Sequence, residues 1–308
     1  MAEREVVFLG TASQVPTRTR SHNALVLLWD DLGVLIDPGE GTQRQMLLAG
    51  VSSQRLTHIL LTHFHGDHCL GLPGVVQRLS LDRVPHPVEV VFPAGGAPWF
   101  ERLRAAAQFE DAARLAPHPV EVGGGEEVVV GEWGGVRLTA RALQHRVECQ
   151  GYRLQERDGV RLLPDRLEAL GVRGPTVGEL VRQGAVRVGD RVVRLEEVSA
   201  PRPGQSFALV MDSRPCPAAT ALARDVDLLV CEATYLESER PAAEAYQHMT
   251  AAEAAHLAHE AGARRLVLTH FSQRYLDLQP FLAEASAIHP DVVVAEDLRR
   301  VAVPPRRP

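Results

Sequence analysis

Residues 57–68 read Thr57-His58-Ile59-Leu60-Leu61-Thr62-His63-Phe64-His65-Gly66-Asp67-His68, an apolar run that opens directly into four side chains able to hold metal. Ile59-Leu60-Leu61 has the continuous apolar character of a buried strand, and Gly66 marks the turn out of it. His63, His65, Asp67 and His68 are therefore expected on the loop at a strand's end. The histidines, at i and i+2, point the same way off an extended backbone, while Asp67 and His68 follow the turn and face elsewhere. That spacing suits two neighbouring ions better than one, and two adjacent metal ions imply hydrolytic chemistry.

A two-metal site needs further ligands, and three residues answer the same description, the first strong ligand type after an apolar strand. His145 follows the apolar stretch 136–143, Asp212 follows 207–211 and His270 follows 266–269. Loops at strand ends build the active sites of α/β folds, and a carboxylate such as Asp212 can bridge two ions. Taken singly, each could equally be a hydrogen-bonded structural residue; beside residues 63–68 they become candidate ligands.

The remainder of the chain alternates strands with helices. Strands are predicted at 5–9, 24–29, 33–36, 88–92, near 120 and 128, and at 136–143, with helices at 42–49, 70–79 and 97–108. After Gly151-Tyr152-Arg153-Leu154 the pattern breaks. Residues 155–204 are rich in arginine, acids, Gly and Pro with only short apolar runs, and are expected to bury little and to project from the body. Strands at 206–211, 227–231, 265–269 and 292–295 and helices at 217–224, 251–261 and 280–288 follow. Two α/β halves flanking one protrusion suit an αββα sandwich, a single domain over 1–308 with an inserted arm at about 155–204.

The 308 residues, 45% hydrophobic, are enough for a large core. No apolar run is long enough to span a membrane and Met-Ala-Glu-Arg-Glu does not open a signal peptide, so a cytoplasmic location is expected. Cys69, Cys149, Cys216 and Cys231 are scattered and read as reduced thiols. A net charge of −6 excludes an indiscriminate nucleic-acid binder. All 33 basic residues are arginine. Ten of them against eight acids lie between 153 and 202, leaving that segment at +2 and the rest at −8.

The pattern H-x-H-x-D-H after an apolar strand is the signature of the metallo-β-lactamase superfamily, and the wider set of motifs resembles the ribonuclease Z family from Phe8 to Val303. The matching stretches are 8–13, Pro16-Thr17-Arg18-Thr19-Arg20, Asp37-Pro38-Gly39-Glu40-Gly41-Thr42-Gln43, residues 63–74, His145-Arg146-Val147-Glu148 with Gly151-Tyr152-Arg153, Gly174-Pro175, Met211-Asp212-Ser213-Arg214, Glu232-Ala233-Thr234, His248 and 268–275. Cys231 stands where the family commonly has histidine, and Ser21 where many members have asparagine.

This resemblance implies a metallo-β-lactamase αββα sandwich with a flexible arm that grips transfer RNA, and endonucleolytic removal of the 3′ trailer from precursor tRNA. It further implies two Zn²⁺ per chain, one held by His63, His65 and His145, the other by Asp67, His68 and His270, with Asp212 bridging. Asp67 would be the proton acceptor, and His248, held by Glu232, the donor to the leaving oxygen; the plain alternative for His248 is a cap on the helix beginning near Thr250. A homodimer is implied as well. A small-molecule hydrolase or phosphodiesterase would share the ligands without needing the arm. Histidines 22, 58, 86, 118, 256, 259 and 289 are expected to be surface or structural residues.

Overall fold

In the computed structural model, which describes residues 4–305, the apolar side chains of each central strand divide between two layers. Along Arg4–Gly10, Val6 and Phe8 enter one hydrophobic cluster and Val7 and Leu9 another. In Leu228–Glu232, Leu228 and Val230 join the first of these clusters, while Leu229 and Cys231 join a third. Side chains alternate across a strand, so strands apolar at every position are covered on both faces. The shared cluster is the seam between two sheets. The outer clusters seat helices: Leu72, Val75, Val76 and Leu79 of Leu72–Leu81 on one sheet, and Ala254, Ala255, Leu257 and Ala258 of Ala251–Ala261 on the other. The result is the αββα sandwich.

Each sheet has seven strands. The first runs Arg300–Ala302, Arg4–Gly10, Ala24–Trp29, Leu32–Ile36, His58–Leu60, Val88–Pro93, Leu115–Val120. From Leu32–Ile36 onward its pairings are parallel. The second runs Val292–Val294, Arg265–Thr269, Leu228–Glu232, Ser206–Val210, Gln150–Glu156, Val136–Ala142, Val128–Trp133, with its first four strands parallel. Parallel strands end at one edge, and the candidate ligands other than His145 follow those ends.

Several expectations shift. Helix 70–79 is instead two helices, Gly66–Cys69 and Leu72–Leu81, so Asp67 and His68 lie on a helical turn. Helix 97–108 stops at Arg104. Strand Gln150–Glu156 was not among the predicted strands, since the pattern was read as breaking after Leu154. A Cβ on Gly151 would lie 2.5 Å from Leu222 and 2.8 Å from the Leu209 carbonyl, so this glycine permits close packing inside a strand. Strand Arg300–Ala302 is too short to show a period, and forms because it pairs with the edge of Arg4–Gly10.

Residues 156–205 form a second compact unit. Two antiparallel pairs, Gly159–Leu162 with Ser199–Arg202 and Ala185–Val188 with Arg191–Arg194, accompany helices Pro164–Ala169 and Pro175–Gln183. Most of the unit is exposed or half-buried, as its composition suggests, but Val172, Leu180, Val186, Val193 and Val198 make a small core. Gly174, at φ 57°, precedes Pro175, which starts a helix where its missing N–H costs nothing.

Candidate active site

Strand His58–Leu60, buried between two parallel neighbours, delivers the chain into residues 62–69. His63, His65, His145 and Asp212 converge with one metal-binding atom each within 4.8 Å of the others, and Asp67, His68 and His270 form a second such group. In the first, His63 Nε2 lies 2.9 Å from His65 Nδ1, which lies 3.3 Å from His145 Nε2. In the second, His68 Nε2 is 3.2 Å from His270 Nε2. The Asp212 carboxylate stands between them, Oδ2 at 3.5 Å from His63 and 3.4 Å from His68, Oδ1 at 3.3 Å from His270. All seven residues singled out from sequence therefore meet.

The donor set fits divalent cations. Four of the histidines have their other ring nitrogen engaged: His63 Nδ1 with Thr62 Oγ1 (3.0 Å), His68 Nδ1 with Asp37 Oδ2 (2.9 Å), His270 Nδ1 with Thr234 Oγ1 (3.0 Å) and His145 Nδ1 with the Gln247 carbonyl (3.3 Å). Such partners fix the ring so that the inner lone pair faces a metal. Asp212 Oδ1 is buried without a hydrogen-bond partner. Burial, with neighbouring histidines, keeps His63, His65 and His145 below their usual pKa, in the neutral form a metal requires. His68 goes the other way: burial opposes its protonation, but Asp212, Asp67 and Asp37 around it prevail and raise its pKa. Three carboxylates around a buried imidazole call for positive charge, which a divalent cation can supply.

Two of these residues sit in strained backbone, Asp212 at φ 45° and His270 at 63°, and so does Asp37 at 48°. Left-handed φ in non-glycine residues costs of order 1–3 kcal/mol and concentrates at functional sites. Asp37, Thr62, Thr234 and the Gln247 carbonyl were not identified from sequence. Asp37 accepts from Thr62 N and Oγ1, both at 2.7 Å, as well as contacting His68, so it ties the strand exit to the ligand. Its place in the 37–43 motif was a signal; its role was not.

His248 Nδ1 lies 3.1 and 3.2 Å from the two carboxylate oxygens of Glu232, and its ring centroid 5.5 Å from His145 and 5.6 Å from His270. Burial disfavours its charge, but Glu232 and Asp212 outweigh burial and raise its pKa to about 9. Glu232 is fully buried and also accepts from Ser213 N (2.7 Å) and Thr234 Oγ1 (2.6 Å). The capping alternative for His248 fails, because Thr250 caps Ala251–Ala261 in a reciprocal pair with Glu253. Cys231, one step along the strand from Glu232, faces the opposite side and packs 3.9 Å from the Met249 sulfur.

His65, Asp67, His145, Asp212 and His248 line a cleft of about 1150 Å³ with Arg146, Tyr246 and Arg274 among its walls. Arg20, from the loop matched at 16–20, is buried and donates to the carbonyls of Tyr275 (2.8 Å) and Ser272 (3.0 Å), so it braces the loop beyond His270. None of the histidines set aside joins either ligand group, although His22 lines the cleft; His256 and His259 are exposed, and His58 packs edge-on against Trp133. All four cysteines are free. Among the described residues no helix is long and apolar enough to cross a membrane.

Residues 17–148 match the sequence profile of the metallo-beta-lactamase superfamily. A protein named ribonuclease Z from Salinispora arenicola is 58% identical over 100% of this chain and 98% of its own length. Another of that name from Nocardia farcinica is 55% identical over 100% of both. Among solved structures, the short form of human tRNase Z matches with a TM-score of 0.72 and 25% identity, over 98% of this chain and 100% of that one. With the metallo-β-lactamase fold and full-length identity of this order, the chain belongs to the ribonuclease Z family.

Proposed function

We propose that the chain is a zinc-dependent endoribonuclease that removes the 3′ trailer from precursor tRNA, leaving a 3′-hydroxyl on the tRNA and a 5′-phosphate on the trailer. The observation that carries this reading is the joining of two ligand groups through Asp212 beside a His248–Glu232 pair, at a cleft of about 1150 Å³. His63, His65 and His145 would hold one Zn²⁺ and Asp67, His68 and His270 the other, with Asp212 shared. Zinc bound there supplies a water ionisable near neutral pH and charge to stabilise the attacking and leaving oxygens.

The chain's own groups do the rest. Asp67 Oδ2, which accepts the Gln14 N–H at 2.7 Å, would orient the attacking water and take its proton. Burial opposes its ionisation, but His68 and His270 hold this carboxyl well below the usual carboxylate range, so orientation is the larger share. Glu232 holds His248 through Nδ1, which leaves Nε2 to protonate the ribose 3′-oxygen as the phosphorus–oxygen bond breaks. The unit 156–205 is the candidate tRNA grip, acting in a cytoplasmic homodimer where the arm of one subunit holds RNA whose end enters the other's cleft. Zinc-loaded protein incubated with a 3′-extended precursor tRNA should cut once, at the trailer junction. Cleavage elsewhere, or none beside rapid hydrolysis of small phosphodiesters, would reject the assignment. Light scattering should report a dimer at micromolar concentration; a fully active monomer contradicts the assembly.

A further inference from the structure

Besides its own backbone bonds, the pair Gln247-His248 is held by three side chains. Gln247, at φ 60°, ends helix Arg240–Tyr246, and its carbonyl meets His145 Nδ1. The His248 ring rests on Glu232. The third hold is Arg214, whose Nη1 donates to the His248 carbonyl at 2.6 Å. The same guanidinium takes both oxygens of Glu253, Nη1 to Oε2 at 2.8 Å and Nη2 to Oε1 at 2.5 Å. Arg214 lies two residues beyond Asp212, and its backbone N–H donates to the Gln144 carbonyl at 3.0 Å, next to His145. Glu253 is itself fixed by its pairing with Thr250, so the guanidinium stands on an immobile base. A planar fork of five donors can grip both oxygens of a carboxylate from two nitrogens and a carbonyl as well; an ammonium, with three donors on one nitrogen, cannot reproduce that paired grip.

We propose that Arg214 is a positioning residue for catalysis, locking the main chain of His248 to the loop that carries Asp212 so that the proton donor and the shared carboxylate keep one fixed relation. This rests on the reading of His248 as the donor. A stabilising role alone accounts for the pairing with Glu253, which also receives Arg240 Nη1 and the Thr250 N–H, each at 3.0 Å. It does not account for the bond to the His248 carbonyl, which links Arg214 to the site.

The experiment compares Arg214→Lys, Arg214→Ala, His248→Ala and the double variant Arg214→Lys/His248→Ala in single-turnover cleavage of precursor tRNA, with zinc content and thermal unfolding measured alongside. Arg214→Lys should cleave roughly 10- to 100-fold more slowly at unchanged zinc content and unchanged half-saturating RNA concentration. Millimolar guanidinium should restore part of the rate lost in Arg214→Ala. Should the alanine variant fail to fold, the lysine variant carries the test. The double variant should be no slower than His248→Ala, since Arg214 acts through His248. A wild-type rate for Arg214→Lys, loss of zinc from it, or fully multiplicative losses in the double variant would each overturn the proposal. A wild-type rate for His248→Ala instead fails the donor reading and takes this inference with it, an outcome distinct from an undisturbed Arg214→Lys beside a slow His248→Ala.

Discussion

At the residue scale, the seven candidate ligands were legible because each is a strong metal-binding type placed directly after an apolar run. Asp37, Thr62 and Thr234 are chemically ordinary, and only their position behind a ligand histidine gives them a role, which depends on contacts between distant parts of the chain. The distinction predicts two kinds of variant. His63→Ala removes an inward nitrogen from the first group, so zinc per chain, measured by elemental analysis, should fall from about two to about one or fewer, and activity with it. No more than one tightly held ion in the active wild type would sink the two-metal reading. His248→Ala leaves both groups whole. Its zinc content should be normal while single-turnover cleavage drops by roughly 10²–10⁴-fold, the ordinary worth of a general acid.

At the element scale, the strands showed in sequence wherever both faces are buried, since a long apolar run needs no period to be noticed. Gln150–Glu156 was missed because the pattern was read as breaking after Leu154, and Asp212 and His270 gave no hint of left-handed φ because neither is glycine. Strand Gln150–Glu156 ties the two sheets together beside the ligand loop. Tyr152 donates its hydroxyl to the Leu61 carbonyl at 2.6 Å and accepts from Gln150 Nε2 at 2.7 Å, while Gln150 N–H donates to the Thr62 carbonyl at 3.0 Å. The ring is fully buried in the seam. Tyr152→Phe keeps the packing and leaves a buried carbonyl and amide short of partners, so it should cost about 1–3 kcal/mol in urea unfolding. Because the lost bond sits at the strand that feeds His63, zinc affinity should weaken too; unchanged stability would mean the hydroxyl bonds contribute nothing net.

At the scale of the whole molecule, the sandwich followed from alternation of strands and helices on either side of an interrupted middle, but the small core of the middle was not foreseen. Composition tallies charges, whereas five valines and leucines spread over 172–198 come together only once two hairpins and two helices have formed. That small core changes what its removal would test. A structureless protrusion could be trimmed anywhere, but here Leu163 N–H donates to the Val198 carbonyl at 2.8 Å and Leu195 N–H to the Gly184 carbonyl at 2.8 Å, so partial cuts would expose apolar side chains. The segment is also the more positive part of an acidic chain, though only by a net +2 between 153 and 202. If it grips tRNA, its arginines contact phosphates, and losing them weakens RNA binding without altering the ligand groups, all of which lie in the other unit. Replacing the whole of residues 157–204 with a short Gly/Ser bridge should therefore abolish cleavage of precursor tRNA while sparing zinc content and the hydrolysis of a chromogenic phosphodiester. Survival of both activities would turn the assignment toward a small-molecule phosphodiesterase, and loss of both with zinc retained would make residues 157–204 part of the catalytic body.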